Sequence, residues 1–339
     1  MSNLDDPDPS NMSEPAYVVV VGSYNHDHLW RVDRFPRPGE TRLGRSFQVG
    51  AGGKGFNQAI ASHRQGGNTL FIGAIGDDAL GVSAQHIASE AGLPCRWQIC
   101  ADHPTAATCV LVDDDGHNEI VVNAAANLAL SADYVGAQTD AFTAGNVLLV
   151  QMETGLDVIR AALHQAHAAG MTCILNPAPV HAQCDAALLA ACDIVTPNET
   201  EFAQLLVQCA DRNVDAEQLA SMDDVTLHAL SRALGVPTVI ITLGAHGCFV
   251  SHSDVGDRCG DKATYYRVAA EHVKTIDTTG AGDAFNGALA AMLLRLAGQP
   301  LRTMVVHANR AAALSTERVG AAIAMVDAAA VHQRFGKSP

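Results

Sequence analysis

The chain has 339 residues, 48% hydrophobic and 17% charged, with 36 acids against 21 bases and a formal charge of −15. Because the charged fraction lies well below the roughly 25% usual for globular proteins, a disordered polypeptide is excluded and a large core must be buried. The negative balance excludes nucleic acid and anionic membrane as partners of the molecule as a whole, since both would repel it.

Residues 1–15, with Asp5, Asp6, Asp8, Glu14 and three prolines, lack the basic and apolar parts of a signal peptide and read as a disordered leader. From there 16–335 reads as one domain. The apolar run at 17–21 ends at Gly22 and predicts a buried strand, and similar runs recur at 69–72, 147–150, 172–175, 194–196 and 238–242. Helical stretches at 55–65, 81–91, 132–143, 156–169, 199–208, 223–234 and 284–296 separate most of them. Such alternation predicts an α/β fold, a mostly parallel sheet with helices on both faces, with ligands at the strands' carboxyl ends. Two segments, about 24–49 and 105–123, break the alternation as strand, turn, strand, with Asp115-Gly116 as a hairpin signal. They predict a small inserted β-sheet, a lid. Nine scattered cysteines without a CxxC pair read as reduced thiols of a cytoplasmic protein. There is no HExxH pair for zinc, and no stretch of about 18 apolar residues to span a membrane.

Two glycine clusters carry the chemistry. Gly50-Ala51-Gly52-Gly53-Lys54-Gly55 fits GxGxxG, but it follows the lid segment instead of the first strand, and Lys54 is not followed by Ser or Thr, so neither a dinucleotide fingerprint nor a P-loop is satisfied. Lys54 and Asn57 at the start of the next helix then face one ligand, or Lys54 is a solvated turn residue. Asp277-Thr278-Thr279-Gly280-Ala281-Gly282-Asp283 precedes the helix expected at 284–296, where free backbone N–H groups and the helix dipole form an anion site. A carboxylate there, Asp283, repels an anion and so suggests a reacting proton; the dipole should lower its pKa, and the alternative is an N-cap. A third group, Asn198 and Glu201, has the spacing either to hold hydrated Mg²⁺ or to form a capping box.

The segments GSYNHD at 22–27, GAGGKGFNQA at 50–59, GDD at 76–78, QMET at 151–154, NPAP at 176–179, TPNETE at 196–201, TLGAHG at 242–247 and DTTGAGDAFNGAL at 277–289 resemble those of the ribokinase-like (PfkB-type) carbohydrate kinase family. The resemblance implies a three-layer α/β sandwich with a β-lid, and ATP-dependent phosphorylation of a sugar, D-ribose at its 5-hydroxyl. It implies Asp283 as general base and Gly280, Ala281 and Gly282 as the anion hole. The sugar would be gripped by Asn25, Asp27, Gly53, Lys54, Asn57 and Glu153, and the nucleotide side formed by Asn198, Thr242, Gly244, Gly247, Gly282 and Asn309. Asn198 and Glu201 would hold Mg²⁺ through water. A monovalent cation such as K⁺ would sit by Asp277, Thr279 and the 315–320 segment, including Ser315, Arg318 and Gly320. A homodimer through the lid is implied as well.

Tyr24, His26 and Phe56 stand where the family pattern has smaller residues. They either reshape the pocket, stack on the base of a nucleoside acceptor, or point into the core or lid. A nucleoside kinase of the same family is therefore the alternative reading. A non-catalytic sensor would be expected to lack Asp283, Asn198 or the glycines, and none is missing.

Overall fold

A computed structural model describes residues 17–255 and 258–336, so the leader expected at 1–15 lies outside the described residues. The strands are β1 (Tyr17–Val21), β2 (Asn25–Arg31), β3 (Ser46–Gly52), β4 (Thr69–Gly76), β5 (Cys95–Cys100), β6 (Ala107–Val112), β7 (Asn118–Asn123), β8 (Gly145–Val150), β9 (Thr172–Leu175), β10 (Ile194–Val195), β11 (Thr238–Thr242), β12 (Cys248–His252) and β13 (Tyr265–Val268). The helices are α1 (Lys54–Arg64), α2 (Ala79–Glu90), α3 (Ala126–Ala129), α4 (Ala132–Gly136), α5 (Thr139–Thr143), α6 (Leu156–Ala168), α7 (Ala186–Ala190), α8 (Glu199–Ala210), α9 (Asp224–Ala233), α10 (Ala281–Arg295), α11 (Leu301–Ser315) and α12 (Ala328–Phe335).

Nine strands form one sheet in the order β13-β12-β11-β10-β9-β8-β1-β4-β5. It is parallel from β5 to β11, while β12 and β13 close its edge antiparallel. The alternation along β1 explains why both faces are covered. Val18 and Val20 enter the core beneath α1, α10 and α11, whereas Val19 and Val21 enter the core beneath α6 and α8. A strand buried on both faces reads as an unbroken apolar run, which is why it was visible in the sequence.

The second sheet has the order β3-β2-β6-β7. β2 pairs antiparallel with β3 and parallel with β6, and β6 and β7 form the hairpin expected at Asp115-Gly116. Register places Asp27 beside Thr108 and Gly50, on one face, and His28 beside Val49 and Cys109, on the other.

Several expectations are corrected. The helix expected at 132–143 is two short helices, because Gly136 is a poor helix former and Gln138 is held by Arg96 and by the Tyr134 carbonyl. The helix expected at 284–296 begins at Ala281, and a second helix of the same length, α11, follows it unforeseen. The acidic segment 211–224, which by its sequence reads as a surface extension without a role, is pinned to the body: Leu219 is fully buried, and Arg267 joins Asp224 to the carbonyls of Ala220 and Met222. No helix among the described residues is long and apolar enough to cross a membrane.

Candidate active site

The sheet geometry puts polar residues at one edge. Gln151 and Glu153 follow β8, Asn176 follows β9, Thr196 and Asn198 follow β10, and Thr242 ends β11. All are carboxyl ends of parallel strands, where the turn into the next helix leaves a crevice. A cleft of about 220 Å³ opens there, and its lining includes Lys54, Asn176, Asn198, Glu201, Thr242, Gly280, Ala281, Gly282 and Asp283.

Asp283 differs from its expected setting. Gly280, in the left-handed conformation at φ 76°, is the N-cap of α10, so Asp283 lies within the first turn and caps nothing. Its side chain accepts from Asn57 Nδ2 at 3.0 Å on Oδ2 and from Gln58 Nε2 at 2.9 Å on Oδ1. Burial pushes its pKa up, against the lowering expected from the helix dipole; the Lys54 charge and the two amide donors oppose that rise without cancelling it. A raised pKa makes it a better proton acceptor than a dipole-stabilised carboxylate. Lys54, largely buried, gains charge stability from Asp283, Glu153 and Glu201 that outweighs its desolvation.

The loop into α1 is built by close backbone approach. Gly53 has φ 84°, and a Cβ on Gly55 would stand 2.5 Å from the Ser23 nitrogen. Glu153 Oε2 accepts from Ser23 Oγ at 2.5 Å and from the Lys54 backbone N–H at 2.9 Å, which holds this loop against the end of β8. Asn25 Oδ1 takes Asn127 Nδ2 at 2.8 Å. The Asp27 carboxyl lies over Gly52, where a Cβ would come within 2.0 Å of it. Two buried polar atoms on this side, Asn57 Oδ1 and Thr108 Oγ1, have no well-formed hydrogen bond among the described residues, although the Thr108 hydroxyl lies close enough to the Asp27 carboxyl to favour its charged form. Orphaned atoms of this kind suit a ligand rich in hydroxyls.

At the other end of the cleft, Asn198 and Glu201 form the capping box of α8: Oδ1 of Asn198 accepts from the Glu201 N–H at 2.8 Å, and Glu201 Oε2 from the Asn198 N–H at 2.9 Å. Glu201 Oε1 takes part in no hydrogen bond among the described residues. Burial raises the Glu201 pKa, with Asp283 and Glu199 adding to it against the Asn198 N–H and Lys54. Neighbouring carboxylates with an oxygen to spare fit a hydrated divalent cation. The two readings of this pair are thus compatible.

Gly244, Gly247 and Asn309 do not line this cleft. Gly247, at φ 84°, lets the turn after β11 pass Val268, whose carbonyl a Cβ would meet at 2.0 Å, and Asn309 Nδ2 donates to the Ala269 carbonyl at 2.7 Å. Asp277, Thr279, Ser315, Arg318 and Gly320 form a separate group. Asp277 accepts from the N–H of Thr279 and of Gly320, each at 2.9 Å, so the 277–280 and 315–320 loops lie side by side. Those N–H donors hold its pKa below the usual range although burial works against its charge.

Tyr24 and Phe56 are fully buried and pack edge to face with centroids 5.1 Å apart, inside the core beneath α1. They offer no face to a base. His26 is buried and contacts Tyr24 OH at 3.4 Å through Nδ1. Sequence reasoning missed Ser23, Gln58, Gln151, Asn176 and Asn286, although all lie in the quoted segments; Ser23, Gln151 and Asn176 follow apolar strand runs, whereas Gln58 and Asn286 stand inside α1 and α10. Asn127 lies in none of them.

The sequence pattern of the pfkB family carbohydrate kinases matches residues 15–328. The ribokinase of Haemophilus influenzae is 34% identical over 307 residues, covering 90% of this chain and 93% of that protein. The ribokinase structure from Giardia lamblia superposes with a TM-score of 0.82 at 27% identity, over 95% of this chain and 99% of that one. That of Arabidopsis thaliana, complexed with ribose and ATP, gives 0.75 at 26% identity, over 94% and 97%. With the family pattern matching residues 15–328 and the α/β sheet and small second sheet agreeing with these folds, the chain belongs to the pfkB family of carbohydrate kinases and is a phosphotransferase with an alcohol group as acceptor.

Proposed function

We propose that the protein transfers the γ-phosphoryl group of ATP to the 5-hydroxyl of D-ribose, giving D-ribose 5-phosphate and ADP. The observation that carries this reading is the buried Asp283 carboxylate at the head of α10, joined to Asn57 on the sugar side and beside Lys54. Relatives named as ribokinases support the choice of acceptor.

Asn25, Asp27, Gly53, Lys54, Asn57 and Glu153 grip the sugar, and the unpartnered Asn57 Oδ1 and Thr108 Oγ1 find partners in its hydroxyls. Asp283 takes the proton of the attacking hydroxyl, whose oxygen forms the new bond to the γ-phosphorus as the bond to the ADP oxygen breaks. Backbone N–H groups of Gly280, Ala281 and Gly282 and the Lys54 ammonium stabilise charge on the transferring group. Asn198, Thr242, Gly244, Gly247 and Asn309 shape the nucleotide side. Glu201 and Asn198 would hold Mg²⁺ through water, and the ion would offset phosphate charge. K⁺ beside Asp277, Thr279 and the 315–320 carbonyls would steady the loop that leads into α10. The lid excludes water from the transfer. Protein of this kind works in the cytoplasm, as a homodimer joined through its lids.

A nucleoside acceptor is less well supported, because Tyr24 and Phe56 lie in the core. The decisive assay is ATP-dependent phosphorylation of D-ribose set against inosine, adenosine and cytidine, with and without K⁺. D-Ribose is expected to be preferred, and Asp283→Asn to lower kcat by about 10²–10⁴-fold while sugar binding persists. Preference for a nucleoside would overturn the acceptor, and near-normal turnover by the variant would overturn the base.

A further inference from the structure

We infer that Gln58 is a positioning residue for phosphoryl transfer: it anchors Oδ1 of Asp283 so that Oδ2 alone is presented to the acceptor hydroxyl. The inference rests on the reading of Asp283 as the base.

Two neighbouring amides of α1 hold the carboxylate, and they differ in how they are themselves held. Gln58 is fully buried. Its Nε2 donates to Asp283 Oδ1 and to Asn176 Oδ1, each at 2.9 Å, and its Oε1 accepts from Gln151 Nε2 at 2.6 Å. Asn176 is fixed in turn by its own donation to the Thr196 carbonyl at 3.0 Å. Both Nε2 hydrogens are therefore used, and the group cannot turn without breaking bonds to the ends of β8 and β9. Asn57 donates to Asp283 Oδ2, but its own Oδ1 is buried without a partner among the described residues. That amide has only its bond to Oδ2 to exchange for one to an arriving hydroxyl, against the three that hold Gln58, and its turning frees Oδ2. One oxygen is thus locked and the other released, which sets the direction from which the proton arrives. Gln58 exchanges no proton: the hydroxyl hydrogen passes to Oδ2, and the resulting carboxylic acid later loses it to water.

The test uses Gln58→Met, which keeps the length and removes the amide, and Gln151→Met, which releases Gln58 without touching Asp283. For Gln58→Met, kcat should fall about 10- to 100-fold with KM for D-ribose within about threefold, as for lost orientation at the reacting group. The acid limb of the kcat–pH profile should move to higher pH, because a donor that favoured the carboxylate is gone. Gln151→Met should show the same two effects at smaller size. Parental kcat and acid limb in folded Gln58→Met, judged by circular dichroism and ADP binding, would overturn the inference. Should Gln58→Met not fold, the same parental result for Gln151→Met would overturn it. Parent enzyme inactive on D-ribose would instead defeat the acceptor reading, and the same comparison then runs on whichever alcohol it does phosphorylate.

Discussion

On the proposed reading of Asp27 as a sugar ligand, its burial would serve binding at a cost in stability. Burial, opposed by the Thr108 hydroxyl and aided by the nearby Glu153 charge, pushes its carboxyl up to about 6. As pH falls through that value the group protonates and loses its capacity to accept from two sugar hydroxyls at once. KM for D-ribose should therefore rise between pH 7.5 and 5.5, and Asp27→Asn should raise it at least about tenfold and flatten its pH dependence, measured by initial rates. The stability sign is opposite. With a folded pKa above the ordinary value of 3.8, the folded chain binds more protons than the unfolded one between those two values, so stability declines as pH rises through the window. Asp27→Asn should gain on the order of 1–3 kcal/mol at pH 7 and almost nothing at pH 4, read as Tm by calorimetry. Unchanged Tm at both pH values would contradict the burial argument. At this scale Lys54 and Asp283 were legible because charge within a glycine-rich segment is unusual, whereas Asp27 was reached only through the family resemblance. The raised Asp283 pKa was not, since desolvation depends on what α1 lays over it.

At the scale of elements, α1 and α10 are brought together at Gly287, where a Cβ would stand 2.4 Å from the Gln58 carbonyl oxygen and 2.5 Å from Ala61 Cβ. This approach lets residues of α1 reach a carboxylate on α10. Gly287→Ala should push the helices apart, destabilising the fold by about 1–3 kcal/mol and lowering kcat more than it changes KM, as seen by denaturant unfolding and steady-state kinetics. A variant of parental stability and kcat would show that the helices have room to spare. Strands with continuous apolar runs, such as β1, β9 and β11, were found at their observed limits, because burial on both faces writes a simple pattern. β5, β12 and β13 went unread, and each lies at or next to an edge of the sheet, where polar residues such as Arg96, Gln98, Ser251 and Arg267 interrupt the run.

For the whole molecule, the four-stranded sheet leaves Phe47, Val49 and Val121 exposed on one face and Ile120 and Val122 on the other. The proposed lid-to-lid dimer would cover an apolar layer of this kind. The parent should sediment with the mass of two chains, and the double variant Ile120→Glu/Val121→Glu, which charges both faces, should sediment as one; a monomeric parent would remove the dimer from the proposal. The acidic, lysine-poor composition fits a site that receives polyphosphate through glycine backbone, one lysine and a helix terminus in place of a basic patch. What the sequence by itself determined is the layered α/β order, the inserted β-layer and the segments that carry the chemistry, because periodicity and glycine spacing are local properties of the chain. Only the tertiary structure decided that Asp283 sits inside a helix turn with a raised pKa, that Tyr24 and Phe56 are core, and that Gln58 and Gln151 reach the site. Burial and hydrogen-bond partners join residues such as Gln58 and Asp283, which stand far apart in the sequence and meet only when α1 closes on α10.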